Sequence, residues 1–470
     1  MIIEQIYTGC LAQGAYYIES KGEAAIIDPL RESDPYLQMA EKKGSKIKYV
    51  FETHFHADFV SGHIDLANKA GAKIVYGPLA ETKYEKHMAK DGEEFSIGDL
   101  TIRVLHTPGH TMESTTYLLL DENKIPHAIF TGDTLFIGDV GRPDLAQKGG
   151  SVTKEDLAGL LFDSLREKIM VLPDEVLVYP AHGAGSACGK NMSSETFDTL
   201  GNQKKTNYAL NAKLDKAGFI KEVTAGLAPP PQYFAKNASL NKNGYSDFES
   251  IKKQGSRKLS PAEFEAAANA QDALMLDVRK KESFVQGFIP NSIFIGLEGS
   301  FAPWVGALII DIKQPILLIT DEGREEEAIT RLARVGYDNT IGYLEGGFKS
   351  WKAEGREIDT IESINAEEFA TIFEKSPTIN VLDVRKPGEF SALHVKRAQN
   401  FALDFINSNM SEIDKSKKYF IHCRGGYRST ISSSILKARG IKDFVNVQDS
   451  FENICNTSIP TEAGASCENH

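Results

Sequence analysis

The chain has 470 residues, which is too long for one hydrophobic core and predicts about three domains. Charged residues make up 25% and hydrophobic residues 41%, as in soluble proteins, and the net charge of -12 argues against a nucleic-acid partner. No apolar run approaches the roughly 18 residues that span a bilayer, and the first residues lack a signal-peptide pattern. Because the five cysteines also lack disulfide-framework spacing, we expect a cytoplasmic protein with no membrane partner.

The first elements along the chain alternate between strand and helix. Residues 23–29 predict a buried strand that ends at Asp28, and residues 35–43 predict a helix. A second helix is expected over residues 64–70. This alternation predicts a sandwich of two mixed sheets with helices on the outside.

Between these helices, an apolar run at residues 49–51 leads into a segment with two histidines at spacing two. At the end of a strand, positions i and i+2 point the same way, so His54 and His56 can converge on one point. Asp58 adds a carboxylate, and imidazole with carboxylate is a metal-ligand combination. Taken alone, such a pair is about as often two ordinary loop histidines.

Three later segments repeat the arrangement of an apolar run followed by a turn. Their polar residues are His110, Asp133 and His182. Four strand ends that each carry a histidine or an aspartate predict one site at the edge of a sheet. Spacing alone leaves open which of these side chains bind a metal directly.

This set of motifs resembles the metallo-β-lactamase superfamily, whose pattern is His-x-His-x-Asp-His followed by a later His, Asp and His. The resemblance covers the first domain, which we place at residues 1–247. The histidine that follows the motif aspartate in the family is Phe59 here. In two-metal members that histidine helps to hold the second metal, so its loss implies a single metal.

Within the superfamily, the persulfide dioxygenases look most similar. The resemblance implies one Fe(II) per chain, held by His54, His110 and Asp133. Two histidines and one carboxylate with open positions are used by non-haem Fe(II) oxygenases. The resemblance also implies a set of groups that orient the ligands, namely His56, Asp58 and His182.

Two cations near these motifs are candidates for binding an anionic thiol substrate. Arg142 lies in a turn-rich loop after Asp133, where the alternative is a loop salt bridge. Lys190 lies in the glycine-rich segment 183–190, which lets the backbone approach a ligand. Cys188, in the same segment, could accept sulfur, although a single cysteine is more often a small buried hydrophobe.

Beyond a polar linker at residues 248–258, the sequence Leu-Asp-Val-Arg at 276–279 recurs at 382–385. Each copy follows a helix-like segment and precedes a second strand and helix. The repeat predicts two α/β domains with parallel sheets, at 259–358 and 361–456, and a tail at 457–470.

In the second copy, an apolar run leads to Cys423, and a helix is expected to begin at Thr430. Unpaired backbone N–H groups at such a helix start stabilise a thiolate, and the glycines let the loop curl around the sulfur. Arg424 and Arg428 add positive charge for an anionic substrate. The alternative is a buried structural cysteine. The segment resembles the rhodanese family, in which such a cysteine carries sulfane sulfur as a persulfide.

At the matching point of the first copy we expect Asp321, within an acidic loop. A carboxylate cannot be persulfidated, and the loop should repel anionic sulfur donors. The first copy should therefore be inactive and serve as a spacer, a packing partner or a dimer contact.

The resemblances together imply an α/β protein: a metallo-β-lactamase αββα sandwich followed by two rhodanese-like domains. The implied enzyme oxidises the terminal sulfur of a low-molecular-weight thiol persulfide to sulfite with O2. The thiol could be glutathione, coenzyme A or bacillithiol. Cys423 would transfer sulfur, with sulfite or thiosulfate as partner, and we expect a dimer or tetramer. One alternative is a zinc-dependent, glyoxalase II-like thioester hydrolase, and another is a non-enzymatic sulfur carrier or persulfide sensor.

Overall fold

The computed structural model describes residues 1–146 and 152–463. The chain divides into two compact units, of which the first comprises residues 1–250 with 332–336 and the second the remainder from residue 251. Among the described residues, no helix is both long enough and apolar enough to cross a bilayer.

The first unit contains two six-stranded mixed sheets. In spatial order, the first sheet consists of β1 (Ile2–Thr8), β2 (Gln13–Ser20), β3 (Glu23–Ile27), β4 (Lys46–Glu52), β5 (Lys73–Tyr76) and β6 (His87–Met88). The second consists of β12 (Asp198–Thr199), β11 (Leu177–Pro180), β10 (Pro126–Gly132), β9 (Thr115–Leu120), β8 (Leu100–His106) and β7 (Glu94–Ile97). The predicted strand over residues 23–29 is therefore β3, next to β4 in the first sheet.

Helices cover the outer faces of these sheets. They are α1 (Asp34–Lys43), α2 (His63–Ala70), α3 (Lys154–Ser164), α4 (Leu200–Thr206), α5 (Lys216–Thr224) and α6 (Phe234–Asn243), with a π-helix at Leu165–Ile169 and a 3-10 turn at Tyr208–Leu210. One core lies between the sheets and includes Phe51 and Phe130. Separate cores lie under α1 and α2 and under α3 and α5, which gives four layers in the order α, β, β, α. The predicted sandwich is confirmed.

The second unit contains two five-stranded parallel sheets of identical strand order. The first consists of β13 (Lys258–Leu259), β17 (Thr340–Leu344), β16 (Ile316–Ile319), β14 (Leu274–Asp277) and β15 (Ile293–Phe294). The second consists of β18 (Ser363–Ile364), β23 (Phe444–Val447), β22 (Tyr419–His422), β19 (Asn380–Asp383) and β21 (Gln399–Asn400). A separate antiparallel pair joins β20 (His394–Val395) and β24 (Thr461–Glu462). The repeat in the sequence is thus a repeat of the fold.

Helices lie between the strands, and most of them form the crossovers that parallel pairing requires. They are α8 (Pro261–Gln271), α9 (Lys281–Gln286), α10 (Phe301–Leu308), α11 (Glu325–Ala333), α12 (Gly347–Ala353), α13 (Ala366–Lys375), α14 (Pro387–Ala392), α15 (Ile406–Asn409), α16 (Tyr427–Ala438) and α17 (Phe451–Cys455), with 3-10 turns at Leu403–Phe405 and Met410–Glu412. Capping boxes begin α8 at Ser260 and α13 at Asn365, so both copies start with the same local signal.

Two boundary segments carry more structure than the sequence suggested. The expected linker contains helix α7 (Phe248–Gly255), and the expected tail contributes β24 to a sheet. Residues 464–470 of that tail lie outside the described residues. The role of residues 248–258 as a linker and the exact domain limits stay predictions.

Candidate metal centre and sulfur-transfer loop

The residues predicted as metal ligands come together at one edge of the two sheets. His54 follows β4, His110 lies in the loop after β8, and Asp133 follows β10. The Nε2 atoms of His110 and His54 lie 3.4 and 3.9 Å from Asp133 Oδ2. All three side chains are buried. One ligand atom from each therefore surrounds a shared point, as a metal ion requires.

Hydrogen bonds fix which nitrogen of each histidine faces this point. Thr53 Oγ1 donates to Asp28 Oδ2 at 2.8 Å and so accepts from His54 Nδ1 at 3.0 Å. His110 Nδ1 donates to the carbonyl of Arg142 at 2.8 Å. Both Nε2 atoms are left as acceptors, and burial holds the pKa of His54 well below its usual range. Neutral imidazoles of fixed tautomer are the form that binds metals.

Several buried polar atoms at this point lack a hydrogen-bond partner in the part of the chain that the structure describes. They include both carboxylate oxygens of Asp133, Nε2 of His182 and Oδ1 of Asp58. Burying such atoms unpaired is costly. A divalent cation would satisfy them, so the donor set fits a metal ion.

A second group of three lies beside the first. Its members, His56, Asp58 and His182, also place one ligand atom each within 4.8 Å of one another. His182 Nε2 lies 3.4 Å from Asp58 Oδ2 and 3.6 Å from Asp133 Oδ1. Phe59 is buried with its ring centroid 4.3 Å from that of His56. An apolar ring therefore lies next to this group, where the superfamily motif places a further histidine.

His56 also faces two carboxylates on its other side. Its Nε2 lies 3.1 Å from Asp28 Oδ1 and 3.5 Å from Glu52 Oε2. Burial lowers the pKa of His56, but Asp28 and Glu52 outweigh burial and raise that pKa to about 9. His56 could still bind a metal with Asp58 and His182, so its orienting role stays a prediction.

The cysteine of the second repeat copy lies between β22 and α16. Cys423 is buried, and the N–H of Gly426 donates to its Sγ at 3.1 Å. Gly426 has a left-handed backbone with φ of 80°, and the helix begins directly after it at Tyr427. The loop thus directs a backbone donor at the sulfur at the positive end of a helix, as a reactive thiolate needs.

Comparisons with known proteins cover both units of the chain. Residues 8–182 match the family described as the metallo-beta-lactamase superfamily, and residues 260–354 and 365–457 each match the rhodanese-like domain. The human mitochondrial persulfide dioxygenase ETHE1 is 33% identical over 212 residues, which are 45% of this chain and 74% of that protein. The chain belongs to the metallo-β-lactamase superfamily. Its second unit consists of two rhodanese-like domains.

Other relatives point in two directions. The hydroxyacylglutathione hydrolase of Rhizobium etli is 36% identical over 165 residues, which are 34% of this chain and 57% of that enzyme. The crystal structure of a metallo-beta-lactamase from Staphylococcus aureus subsp. aureus COL is 33% identical, with a TM-score of 0.64, and covers 73% of this chain and 98% of its own. These matches confirm the expected fold and fusion, and both activities considered from the sequence occur among the relatives.

Strand pairing corrects one prediction about the first rhodanese-like copy. Asp277 pairs with Ile319 in the first copy, just as Asp383 pairs with His422 in the second. The counterpart of Cys423 is therefore Thr320, and the assignment of Asp321 to that position is wrong by one residue. In the sequence the apolar run extends through Thr320, whereas the strand ends at Ile319 and the sheet fixes the register.

The corrected position still lacks a thiol. Thr320 is buried, Asp321 is exposed, and the first turn of α11 carries three consecutive glutamates. A threonine hydroxyl cannot carry sulfane sulfur, and the acidic turn would repel anionic donors. We call this domain the silent copy, and the domain with Cys423 the active copy.

The two cations expected to bind substrate in the metallo-β-lactamase domain have partners within the protein. Arg142 contacts Asp144 through Nε at 2.6 Å and Nη2 at 2.7 Å. Lys190 Nζ donates to the carbonyls of Glu222, at 2.9 Å, and Ala225 at the end of α5, and burial lowers its pKa. Their substrate-binding roles stay predictions.

Cys188 lies close to Asp133 and His182. Burial, followed by the charges of Asp133 and Asp58, raises the pKa of its thiol well above the usual range. A thiol held in its protonated form is a poor sulfur acceptor.

In the active copy, the two predicted substrate contacts differ in their surroundings. Arg424 is exposed at the loop. Arg428 forms a bidentate pair with Glu389, at 2.5 and 2.9 Å, and this pair lowers the pKa of Glu389. An anionic substrate would have to compete with Glu389 for Arg428, and no motif indicated this carboxylate.

Two further residues that position the metal site went unrecognised in the sequence. Asn241 on α6 donates to the carbonyls of His56 and Phe59, at 2.7 and 2.8 Å, and accepts from Ser61 N at 2.9 Å. Glu52 accepts from Ser61 Oγ at 2.6 Å, and burial raises its pKa well above the usual range. Glu52 could be suspected from its place before the histidine motif, whereas Asn241 carries no local signal.

Proposed function

We propose that the metallo-β-lactamase domain oxidises low-molecular-weight thiol persulfides with O2 and that Cys423 transfers sulfane sulfur. One observation carries the first half: two histidines, each with its Nε2 facing a shared point, and one carboxylate form a buried cluster, with Phe59 beside the neighbouring group. His54, His110 and Asp133 would hold one Fe(II) per chain. Such an ion supplies open coordination positions and the redox chemistry for oxygenation.

The protein's own groups prepare this reaction. Asp28 orients Thr53, which holds the ring of His54, and the Arg142 carbonyl holds the ring of His110. Burial keeps bulk water from the ligands and strengthens the electrostatic attraction between the Asp133 carboxylate and a cation bound beside it. The balanced reaction is R–S–S⁻ + O2 + H2O → R–SH + HSO3⁻, in which the terminal sulfur is oxidised and O2 is reduced.

Cys423 would carry out the second half. Its thiolate attacks the outer sulfur of thiosulfate, so that Cys–S⁻ + S2O3²⁻ gives Cys–S–S⁻ + SO3²⁻. In reverse, the sulfite made by the first domain takes sulfur from the Cys423 persulfide. Tethering the two sites in one chain raises the local concentration of sulfite near Cys423.

The decisive experiment measures O2 consumption by anaerobically iron-loaded protein with glutathione, coenzyme A or bacillithiol persulfide. Sulfite and thiosulfate are quantified in the same samples. We expect uptake with at least one persulfide, and its loss in His110→Ala. Absence of uptake with all three, together with stoichiometric bound zinc, would overturn the proposal.

The second candidate function is a zinc-dependent thioester hydrolase. It is favoured by the group of His56, Asp58 and His182, which could hold a further ion. A thioester hydrolysis assay on zinc-loaded protein, with metal content measured, separates the two. A role as a sulfur carrier alone is excluded if Cys423→Ser still consumes O2 with a persulfide.

A further inference from the structure

The silent copy contacts the loop that carries Cys423. Lys281, the first residue of α9 in the silent copy, donates from Nζ to the carbonyl of Gly425 at 2.8 Å. The hydroxyl of Tyr427 donates to the carbonyl of Gly296 at 2.7 Å, and its ring packs on Phe294. The loop of the active copy is therefore held from both domains.

The contact from Lys281 reaches the sulfur through a single peptide group. The carbonyl that accepts from Lys281 belongs to the Gly425–Gly426 peptide, and the N–H of the same peptide donates to Cys423 Sγ at 3.1 Å. A charged donor on the carbonyl of an amide polarises it and strengthens the hydrogen bond made by its N–H. Lys281 is thus aligned to increase the positive charge that faces the sulfur.

The arrangement depends on glycine at the turn. A Cβ added to Gly426 would lie 2.9 Å from Lys281 Nζ, and the backbone there has φ of 80°. Both the left-handed conformation and the approach of the ammonium favour glycine.

The active copy has no residue that could make the reciprocal contact from the same position. In the aligned Leu-Asp-Val-Arg segments, the position of Lys281 is occupied by Pro387 in the active copy, which has no ammonium. Lys281 keeps a quarter of its side-chain surface exposed, and Glu282 lies 3.6 Å from its Nζ.

We propose that Lys281 is a positioning residue of the sulfurtransferase site, which acts on Cys423 through the Gly425–Gly426 peptide and stabilises negative charge on the sulfur. The silent copy thereby supplies part of the active site that it does not itself contain. This inference rests on the proposed sulfur-transfer function of Cys423.

The test measures alkylation of Cys423 by iodoacetamide as a function of pH, in the full chain, by mass spectrometry of the peptide that contains it. Lys281→Met is compared with Lys280→Met, which removes a neighbouring exposed ammonium 3.6 Å from Glu298. We expect Lys281→Met to shift the midpoint of labelling upward by about one pH unit, which is about a tenfold loss of reactive sulfur below the midpoint. Lys280→Met should leave the midpoint unchanged.

Lys281→Arg keeps the charge and should restore most of the wild-type profile. In parallel, transfer of sulfur from thiosulfate to cyanide should fall about tenfold in kcat for Lys281→Met, with a smaller change in KM. Thermal unfolding identifies any variant that is misfolded, in which case Lys281→Gln replaces it.

Two outcomes separate this inference from the proposed function. If Lys281→Met and Lys281→Gln fold and label like Lys280→Met, the role of Lys281 is overturned. If the wild type transfers no sulfur but its labelling profile still depends on Lys281, the positioning role holds and the sulfurtransferase function fails.

Discussion

The two rhodanese-like copies share one scaffold and differ where the nucleophile belongs. In each, an arginine forms a bidentate pair with an aspartate two residues earlier: Arg279 with Asp277, and Arg385 with Asp383. Each guanidinium also lies over a phenylalanine ring. The loop after the central strand carries the chemical difference, because Thr320 stands in place of Cys423 and acidic residues stand in place of Arg424 and Gly425. The same fold therefore carries a cysteine nucleophile candidate in one copy and none at the matching position in the other.

The largest expected effect comes from the nucleophile itself. Cys423→Ser should lower sulfur transfer from thiosulfate by at least about a thousandfold, because no thiolate remains to attack. O2 uptake with a persulfide should be unchanged. Cys455→Ser, at a partly exposed cysteine in the same domain, is the matched control and should keep full transfer activity. Residual transfer in Cys423→Ser would place the sulfur on another residue.

The aspartate–arginine pair that both copies contain should contribute about equally to the stability of each domain. Asp277→Asn and Asp383→Asn each leave a buried guanidinium without its carboxylate, and removing one partner of a buried pair costs about 3–5 kcal/mol. Hydrogen exchange of β14 and β19 measures the loss in each domain separately. Destabilisation of the active copy alone would mean that the silent copy is held together differently.

The Glu389–Arg428 pair should have a smaller, pH-dependent effect. Arg428 lowers the pKa of Glu389 below its ordinary value of 4.5, so the stabilisation is complete above that value and is lost as the pH falls through the lower folded pKa. Because the pair is partly exposed, we expect roughly 1 kcal/mol or less. Glu389→Gln should remove this pH dependence, measured as the thermal midpoint between pH 3 and pH 6.

Glu389→Gln should also change how strongly the active copy binds thiosulfate. Without Glu389, Arg428 is free to meet an anion, and KM for thiosulfate should fall by no more than about fivefold. An increase in KM would mean that the pair positions Arg428 for binding.

The smallest effect on sulfur transfer is expected from placing a cysteine at the matching position of the silent copy. Thr320→Cys, made in a Cys423→Ser background, should give no measurable sulfur transfer, because Asp321 and the glutamates that begin α11 repel both the thiolate and its anionic donor. The labelling assay that reports Cys423 reports the new thiol as well. Measurable transfer would show that the thiol alone separates the two copies.

The sequence predicted the elements of the fold well because its signals are local. Strand ends that carry His54, His110 and Asp133 could be recognised from apolar runs followed by turns, and the capping residues mark the helix starts of both repeats. The start of α16 was expected at Thr430 and lies at Tyr427, because Gly426 takes the left-handed conformation that precedes the helix.

Contacts between distant segments could not be foreseen in the same way. The partner of Arg428 is Glu389, 39 positions earlier, which would compete with an anionic substrate, and the sequence of the loop does not reveal it. Arg142, in contrast, forms the local salt bridge with Asp144 that the sequence offered as the alternative. The position of Thr320 depends on strand register, which an alignment of loops does not capture. Lys281 meets Gly425 across 144 positions of sequence.

The three hydrogen bonds that Asn241 forms with the loop at residues 56–61 bear on the order in which the chain folds. These hydrogen bonds reach residues 180 to 185 positions earlier, whereas every predicted metal ligand precedes Asn241. During synthesis, the six histidine and aspartate side chains leave the ribosome well before α6 can dock. We therefore expect the loop at residues 56–61 to stay incompletely held at least until α6 emerges, and a nascent chain stopped before residue 241 should bind metal weakly. We therefore expect the metal centre to form late in the synthesis and folding of this domain.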